Sequence, residues 1–273
     1  MHAHAAKTAE RIRGQKIVLA IQDTNYVMYT EHLATTGLGN LSVKKGRRVD
    51  RIYSKGLLMH SCLAVTTNGL PLGLLDQKIV TRSSPVAKRS STELNKAPIE
   101  SKESFRWLES LRASKALTDV QVITICDREA DMYELFQLSS EIEAPVLVRA
   151  DCNRAVNKRS MYIVDPVMKL WEFMKEQKEA GNFELEVPLR KKTKHATARD
   201  ARTAQVTIKF GSFNLNPPKR RSSKHPDIAM HAVYVYERNP PADVELPIPE
   251  SFYGHSWNQF PCVLEISFSI DSQ

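Results

Sequence analysis

Two aspartates in this chain of 273 residues each follow a short apolar run. Asp23 ends "KIVLAIQD" (16–23), and Asp127 ends "DVQVITICD" (119–127). Apolar runs of this length predict buried strands, and neighbouring strands of one sheet lie about 4.8 Å apart. If the two strands are neighbours, both carboxylates can bind a divalent cation, because Mg²⁺ needs only one or two carboxylates beside water and substrate phosphate. The pattern therefore predicts a Mg²⁺ (or Mn²⁺) site for phosphoryl transfer at Asp23 and Asp127.

The same two residues have a purely structural interpretation, which the sequence leaves open. Asp127 precedes a predicted helix and can cap it, and Asp23 can be a turn residue. Other catalytic patterns are absent from the sequence: it contains no HExxH zinc motif, no phosphate-binding glycine loop after a strand and no GxSxG elbow. Trp107 and Trp171 fall in helical patterns, which favours a place in the core over a base-stacking role.

Positive charge is concentrated in one segment. The formal net charge is +8, and between Arg190 and Lys224 eleven Lys/Arg residues face a single acid, Asp200. Such a segment is either a solvated loop or a surface for a phosphate backbone, where each neutralised phosphate releases counterions. Four residues at its start are candidate DNA contacts: Arg190, Lys191, Lys192 and Lys194.

Composition sets the class of protein. A hydrophobic fraction of 42% with 26% charged residues is typical of a globular chain. There is no apolar run long enough for a membrane helix, and the N-terminus lacks the apolar region of a secretion signal. The four cysteines form no CxxC pair, which fits a reducing compartment. The sequence therefore predicts a cytoplasmic protein without a membrane partner.

The order of elements predicts a mixed α/β fold. After a helix-prone lead-in (1–15) with a frayed start, a strand ends at Asp23, and residues 24–56 are expected to be mostly loop. Asn68-Gly69 predicts a hairpin over 57–80, which completes a three-stranded antiparallel meander. Four further elements follow in the first predicted domain, residues 16–150: a helix at 102–117, a strand at 119–127, a helix at 128–140 and a strand at 144–150.

The segment from 151 to 245 differs in character. Apolar residues spaced as in an amphipathic helix predict one helix over 165–181, ended by Gly181. Alternating residues then predict strands, so that 182–238 is β-rich. The tail of 246–273 begins rich in proline and predicts no helix.

Three segments give the chain a resemblance to a known family. They are "VLAIQDTN…GLGNL" (18–41), "GLLMHSCLAVTTNGLPLGLLDQK" (56–78) and "KESFRWLESL…VITICDREADMYEL" (102–135). Together they resemble the DDE transposases of bacterial insertion sequences, in the branch whose second acid lies in a "DREAD" motif. The resemblance extends over roughly residues 10–248.

The resemblance implies a fold, a chemistry and partners. The fold is a ribonuclease-H-like core with a β-rich insertion after the second catalytic aspartate, which 182–238 would supply. Asp23 and Asp127 would be the first two metal-binding carboxylates. Their chemistry would be hydrolytic nicking of element ends, then attack of the freed 3′-hydroxyl on target DNA. The partners would be double-stranded DNA and a second transposase copy. Arg128 and Arg149 are candidate backbone contacts or, alternatively, structural ion-pair partners.

The sequence also departs from the family. A third acid is expected, a Glu in the pattern Tyr-x2-Arg-x3-Glu-x6-Lys, and the sequence contains no such pattern. Glu265 lies in an apolar setting, but Pro261 stands where the Arg is required. We therefore interpret the chain as a transposase truncated or frameshifted near residue 248, with very low activity alone. The rival hypotheses are a non-catalytic DNA-binding remnant or inhibitor of an intact transposase, and a phosphotransferase for small molecules, which the basic segment disfavours.

Overall fold

The computed structural model describes most of the chain: residues 2–29, 32, 34–45, 50–82, 97–158, 167–189, 191–192, 198, 200–218, 225–238 and 251–255. The chain divides into two compact units, Met1–Leu147 and Val148–Gln273. Both combine a β-sheet with few helices, so the predicted mixed α/β class is confirmed. None of the described helices combines the length and the apolar character needed to cross a membrane.

In its described residues, the first unit contains three helices and six strands. In chain order they are α1 (His2–Ile12), β1 (Ile17–Met28), β2 (Gly39–Lys45), β3 (Asp50–Thr66), β4 (Pro71–Val80), α2 (Phe105–Ala116), β5 (Gln121–Cys126), α3 (Tyr133–Glu141) and β6 (Val146–Arg149). Two short 3₁₀ turns, Ile99–Ser101 and Arg128–Ala130, precede α2 and α3. The boundary between the two units falls inside β6.

Strand β1 is central in the sheet of the first unit. It pairs antiparallel with β3 on one side and parallel with β5 on the other. The far side of β3 pairs with β2 and β4, both antiparallel, and β6 follows β5 in the strand order. A sheet that mixes both orientations needs a crossover before its parallel strand, and α2 provides it between β4 and β5.

The predicted hairpin is confirmed, but β1 is longer than predicted. Thr66 N–H donates to the Leu70 carbonyl at 2.9 Å, and Gly69 has φ +85°, a left-handed conformation that favours glycine. The prediction that the first strand ends at Asp23 is wrong, because pairing with β3 continues to Met28 opposite Gly56. The loop expected over 24–56 is also wrong in large part, since β2 and the start of β3 occupy it.

The lead-in predicted to be helix-prone does form a helix, α1, and its start, which was predicted to be frayed, is helical from His2 onward. Ile12 of α1 is fully buried and packs with Val18, Cys62, Leu75 and other residues of one sheet face. Gly73 allows the close approach of α1 to β4, because a Cβ there would lie 2.4 Å from the Thr8 hydroxyl oxygen. An apolar helix face of this kind is held by tertiary packing more than by helix propensity.

Helix α3 begins five residues later than predicted. Residues 128–130 form the 3₁₀ turn, and Met132 has extended backbone angles (φ −133°, ψ 142°), so the α-helix starts at Tyr133. On α2, Leu108, Leu111 and Trp107 are buried as predicted, which places Trp107 in the core.

The described part of the second unit is an antiparallel sheet with one short helix. Its elements are β7 (Ala155–Lys158), β8 (Met168–Lys169), α4 (Leu170–Lys175), β9 (Glu179–Val187), β10 (Arg202–Leu215), β11 (Ile228–Glu237) and β12 (Ser251–His255). Strand β10 pairs with β11 along one edge and with β9 and β7 along the other, while β12 pairs with β11. The predicted β-rich character of 182–238 is confirmed. Val187 of β9 and Ala204 and Val206 of β10 form a buried apolar cluster on this sheet.

The single helix predicted over 165–181 is wrong. Of the described residues 167–181, only 170–175 are α-helical, because Met168 and Lys169 pair with β7 and residues from Glu179 onward pair with β10. Gly181 does not end a helix but lies in β9 opposite Ile208. Val167, expected on the apolar helix face, is 64% exposed. Tertiary strand pairing thus overrode the local helical pattern everywhere except in the six residues of α4.

The C-terminal predictions are tested in part. Residues 251–255 form β12, which the sequence did not predict. Residues 246–250 and 256–273, including Pro261 and Glu265, lie outside the described residues.

The burial of α1 predicts a stability loss on truncating Ile12. We expect Ile12→Ala to lower the free energy of unfolding by about 2–5 kcal/mol, because it leaves a cavity in a close-packed core. Urea unfolding followed by circular dichroism measures the change. The exposed Gln15→Ala is the matched control, and an Ile12→Ala chain as stable as that control would contradict the packing of α1.

Candidate functional site

The register of β1 and β5 places the two candidate aspartates side by side. The last residue pair of this parallel ladder is Gln22 with Cys126. Asp23 follows Gln22 in the sequence, and Asp127 follows Cys126. Gln22 and Cys126 are buried, whereas Asp23 and Asp127 are exposed, as alternation along a strand requires. Neighbouring strands are about 4.8 Å apart, so the backbone positions of the two aspartates are close enough for both carboxylates to bind one ion.

Asp127 is also a cap, as its structural interpretation predicted. Its Oδ1 accepts a hydrogen bond from the Glu129 backbone N–H at 2.9 Å, at the start of the 3₁₀ turn. A carboxylate has about four lone-pair sites on its two oxygens, so one capping bond leaves most of its acceptor capacity. Capping and metal binding are therefore compatible at Asp127.

The two carboxylates fit a hydrated ion better than an ion enclosed by protein. Among the described residues, no group of three or more His, Cys, Asp or Glu side chains is arranged to hold a metal. Mg²⁺ is commonly bound by one or two carboxylates while it keeps several waters and takes substrate phosphate oxygens. Asp23 and Asp127, both exposed, match that donor set.

An arginine that the sequence analysis missed connects the surroundings of both aspartates. Arg106 of α2 donates from Nε to the Thr24 hydroxyl oxygen at 3.0 Å and from a terminal nitrogen to Glu129 Oε2 at 3.1 Å. Thr24 is the neighbour of Asp23, and Glu129 is the residue whose backbone N–H donates to the capping carboxylate of Asp127. One indication of this role is present in the sequence: Arg106 stands next to Trp107, which was predicted to lie in the core.

Arg106 also begins a buried chain of hydrogen bonds. Thr24 Oγ1 lies 2.8 Å from His60 Nδ1, and His60 Nε2 lies 3.3 Å from Gln22 Oε1. Because the Gln22 oxygen can only accept, His60 Nε2 carries the hydrogen, and Nδ1 of the neutral ring accepts from Thr24. Hydrogen bonds therefore run in one direction from Arg106 through Thr24 and His60 to Gln22.

Burial keeps His60 neutral. The side chain is fully buried, with the Trp107 ring 4.5 Å away edge-on. Burial lowers the pKa of His60 to about 4; the positive charge of Arg106 adds to the shift, and the carboxylate of Asp76 opposes it. A charged imidazole would also lose Nδ1 as an acceptor, which the chain of hydrogen bonds requires.

Two thiols flank Gln22 on the same sheet face, and they are inert. Cys62 and Cys126 are the partners of Gln22 in β3 and β5, so two strand spacings, about 9–10 Å, separate them. That distance is too long for a disulfide. Burial raises the pKa of Cys62 to about 12 and the pKa of Cys126 well above its usual value. Thiolate chemistry is therefore excluded beside the aspartates.

The predicted DNA contacts are distributed unevenly. Arg128, Arg149, Lys191 and Lys192 are exposed, whereas Arg190 and Lys194 lie outside the described residues. The basic segment also includes β10, whose cations are engaged within the second unit. Arg202 forms a two-point ion pair with the buried Glu237, and Lys209 donates to the Lys175 carbonyl at 2.6 Å.

A change in pH provides a test of the His60 environment. Since its pKa is lower in the folded than in the unfolded chain, the unfolded chain binds more protons between about pH 6.5 and 4. The stability that neutral His60 provides is complete above that window and is lost as pH falls through it. Between pH 7.5 and 5, wild type should lose about 2 kcal/mol more than His60→Gln, which cannot titrate.

Urea unfolding at the two pH values measures this difference, with the exposed His4→Gln as control. Equal pH dependence in wild type and His60→Gln would contradict the buried neutral imidazole.

The register of the aspartates predicts a disulfide between substituted cysteines. Asp23→Cys with Asp127→Cys places two thiols on one sheet face at about the Cα separation that disulfides use. We expect rapid oxidative cross-linking in a background of Cys152→Ser and Cys262→Ser, measured by mobility on a non-reducing gel. Thr67→Cys with Asp127→Cys is the control, because Thr67 lies in the hairpin turn beyond the far end of β3. Cross-linking no faster than in this control would contradict the register.

Comparison with known protein families gave no match: no family model fits the chain. The functional interpretation of the site therefore depends on the geometry of Asp23 and Asp127 and on the resemblance of the three sequence segments.

Proposed function

We propose that this chain is the catalytic part of a DNA transposase, a Mg²⁺-dependent enzyme of DNA strand cleavage and transfer whose acidic triad is incomplete. The observation that carries the proposal is that Asp23 lies in β1 and Asp127 directly follows β5, the parallel neighbour of β1, with both residues exposed. Both residues stand in the segments that resemble DDE transposases, "QDT" and "DREAD".

The arrangement of the first unit supports a ribonuclease-H-like core. The helices and strands of this unit follow one another in the order predicted from the sequence, with one additional strand, β2, which pairs with β3. Strands β1, β3 and β4 pair antiparallel in succession, and β5 then lies parallel to β1. The antiparallel sheet of the second unit, which follows Asp127 in the chain, supports the proposed β-rich insertion.

In this proposal each aspartate has a defined task. Asp23 and Asp127 bind the divalent ion through their carboxylates, and Asp127 keeps its orientation through the hydrogen bond from Glu129 N–H. The ion, when bound, supplies activation of the attacking oxygen and neutralisation of charge on the phosphoryl group. The exposed face leaves room for a DNA phosphate beside the two carboxylates.

DNA is the proposed polymeric substrate because of charge. The chain carries a net charge of +8, and Arg128 is exposed one residue from Asp127. An excess of cations gives salt-dependent affinity for a phosphate backbone without sequence recognition. Arg149, Lys191 and Lys192 are the other exposed candidates for such contacts.

Low turnover follows from the missing acid. The sequence lacks the Tyr-x2-Arg-x3-Glu-x6-Lys pattern that would supply a third ligand. Two carboxylates can bind Mg²⁺, but a third ligand fixes the coordination geometry that an in-line displacement needs. We therefore propose metal binding with only slow strand nicking.

Metal binding and nicking test the proposal together. Wild type should bind Mn²⁺, measured by electron paramagnetic resonance of the free ion, and Asp23→Asn or Asp127→Asn should each weaken binding by about tenfold or more, because a charged ligand is lost. Nicking of supercoiled plasmid should be substoichiometric and should disappear in Asp127→Asn. Asp131→Asn, in the same "DREAD" motif, is the matched control.

Two outcomes would contradict parts of this proposal. Mn²⁺ binding that is equal in wild type and Asp127→Asn would remove the metal site. Robust multiple-turnover cleavage would contradict the proposed incompleteness of the triad.

The second candidate function is a non-catalytic DNA-binding remnant or inhibitor of an intact transposase. The excess of cations favours it, since binding through cations needs no metal. Salt-dependent DNA binding that is unaffected by Asp127→Asn, with no nicking by wild type, would select this alternative.

A further inference from the structure

We propose that Arg106 is a positioning residue that holds Asp23 and Asp127 in register for metal binding, an inference that rests on the metal site proposed above. Arg106 does not lie among the acidic ligands. It lies on α2, and its guanidinium contacts the immediate surroundings of both.

The first contact fixes the chain at Asp23. Arg106 Nε donates to the Thr24 hydroxyl at 3.0 Å, and Thr24 is held on its other side by His60. Gln22, on the other side of Asp23, is joined to His60 as well. Both sequence neighbours of Asp23 are thus fixed by side-chain hydrogen bonds on the buried face, which leaves the Asp23 backbone little freedom to shift.

The second contact fixes the turn at Asp127. A terminal nitrogen of Arg106 donates to Glu129 Oε2 at 3.1 Å, and the Glu129 N–H is the donor that orients Asp127 Oδ1. If the Glu129 side chain is released, the 3₁₀ turn that presents its N–H loses its attachment to α2. Arg106 therefore acts on Asp127 through a single intermediate residue.

Arg106 is itself held firmly. Its side chain is only 10% exposed, and its other terminal nitrogen donates to the Glu103 carbonyl at 2.8 Å. The guanidinium carbon lies 5.7 Å from the Trp107 ring centre, and Trp107 is buried. A planar guanidinium presents donors in fixed directions, whereas a lysine ammonium is a single point with a flexible stem. Lysine cannot reproduce both contacts at once.

The effect of removing Arg106 on metal affinity distinguishes a purely electrostatic role from a positioning role. A cation near the site disfavours a bound metal ion, so an electrostatic role predicts tighter Mn²⁺ binding in Arg106→Met. A positioning role predicts weaker binding, because the carboxylates lose their common anchor. The direction of the change therefore separates the two roles.

The test compares Mn²⁺ affinity in variants of the full chain, again by electron paramagnetic resonance. Arg106→Met and the charge-conserving Arg106→Lys should each weaken binding by about 10- to 100-fold, the range found when residues that orient metal ligands are replaced. Arg112→Lys, an exposed arginine of the same helix, should leave the affinity unchanged.

Thr24 provides a test that does not depend on the folding of an Arg106 variant. Thr24→Val keeps the shape but removes the hydroxyl, and it should weaken Mn²⁺ binding; Thr24→Ser keeps the hydroxyl and should restore it. Thr24→Val and Arg106→Lys remove the same connection, so their effects on affinity should be less than additive in the double variant. Full additivity would overturn the connection through Thr24.

Cross-linking of the Asp23→Cys/Asp127→Cys pair separates this inference from the proposed function, since it needs no metal. Arg106→Lys should slow cross-linking, and Arg112→Lys should not. Slower cross-linking in a chain that binds no Mn²⁺ would support the positioning role while removing the metal site. Mn²⁺ affinity and cross-linking that both remain at wild-type values in Arg106→Lys and Thr24→Val would overturn the role of Arg106.

Discussion

The parallel pairing of β1 with β5 is the constraint on which the candidate site depends. Because side chains alternate along a strand, the burial of Gln22 and Cys126 on one face forces Asp23 and Asp127 to the other. A shift of one residue in either strand would bury a carboxylate and expose its apolar neighbours, so the apolar core strongly specifies the register. The same burial that stabilises the sheet therefore aligns the two acids.

The buried face beneath the aspartates is unusual in its polar content. Gln22, His60 and Arg106 are buried and Thr24 is half-buried where a simpler core would have only apolar side chains. Unpaired, such groups would each cost stability, but each is hydrogen-bonded to the next, and only the Gln22 Nε2 at the end of the chain of bonds has no partner among the described residues. A connected polar network specifies one arrangement more strictly than apolar packing, because any displacement breaks several directional bonds.

The second unit shows that a basic sequence segment is not automatically a basic surface. Arg202 neutralises Glu237, whose side chain is 2% exposed, and a buried carboxylate left without that partner would be strongly destabilising. Lys209 extends over the Tyr236 ring and ends on a helix carbonyl. In the described part of the segment, the cations of β10 serve the fold, while Lys191 and Lys192, outside the strands, remain exposed.

The sequence alone determined the strands and helices that local pattern controls. The apolar runs before Asp23 and Asp127, the hairpin at Asn68-Gly69 and the apolar face of α2 were predictable, because period and turn chemistry are local properties. The tertiary structure decided the rest. Strand pairing extended β1 to Met28 and converted most of the helix predicted over 165–181 into strands, since cross-strand hydrogen bonds outweigh weak propensities. The sequence identified two acids that could share an ion, but only the register of β1 and β5 placed them together. Arg106 contacts Thr24, which is 82 positions away in the sequence, and Glu129, which is 23 positions away. No sequence period indicates a contact at such separations.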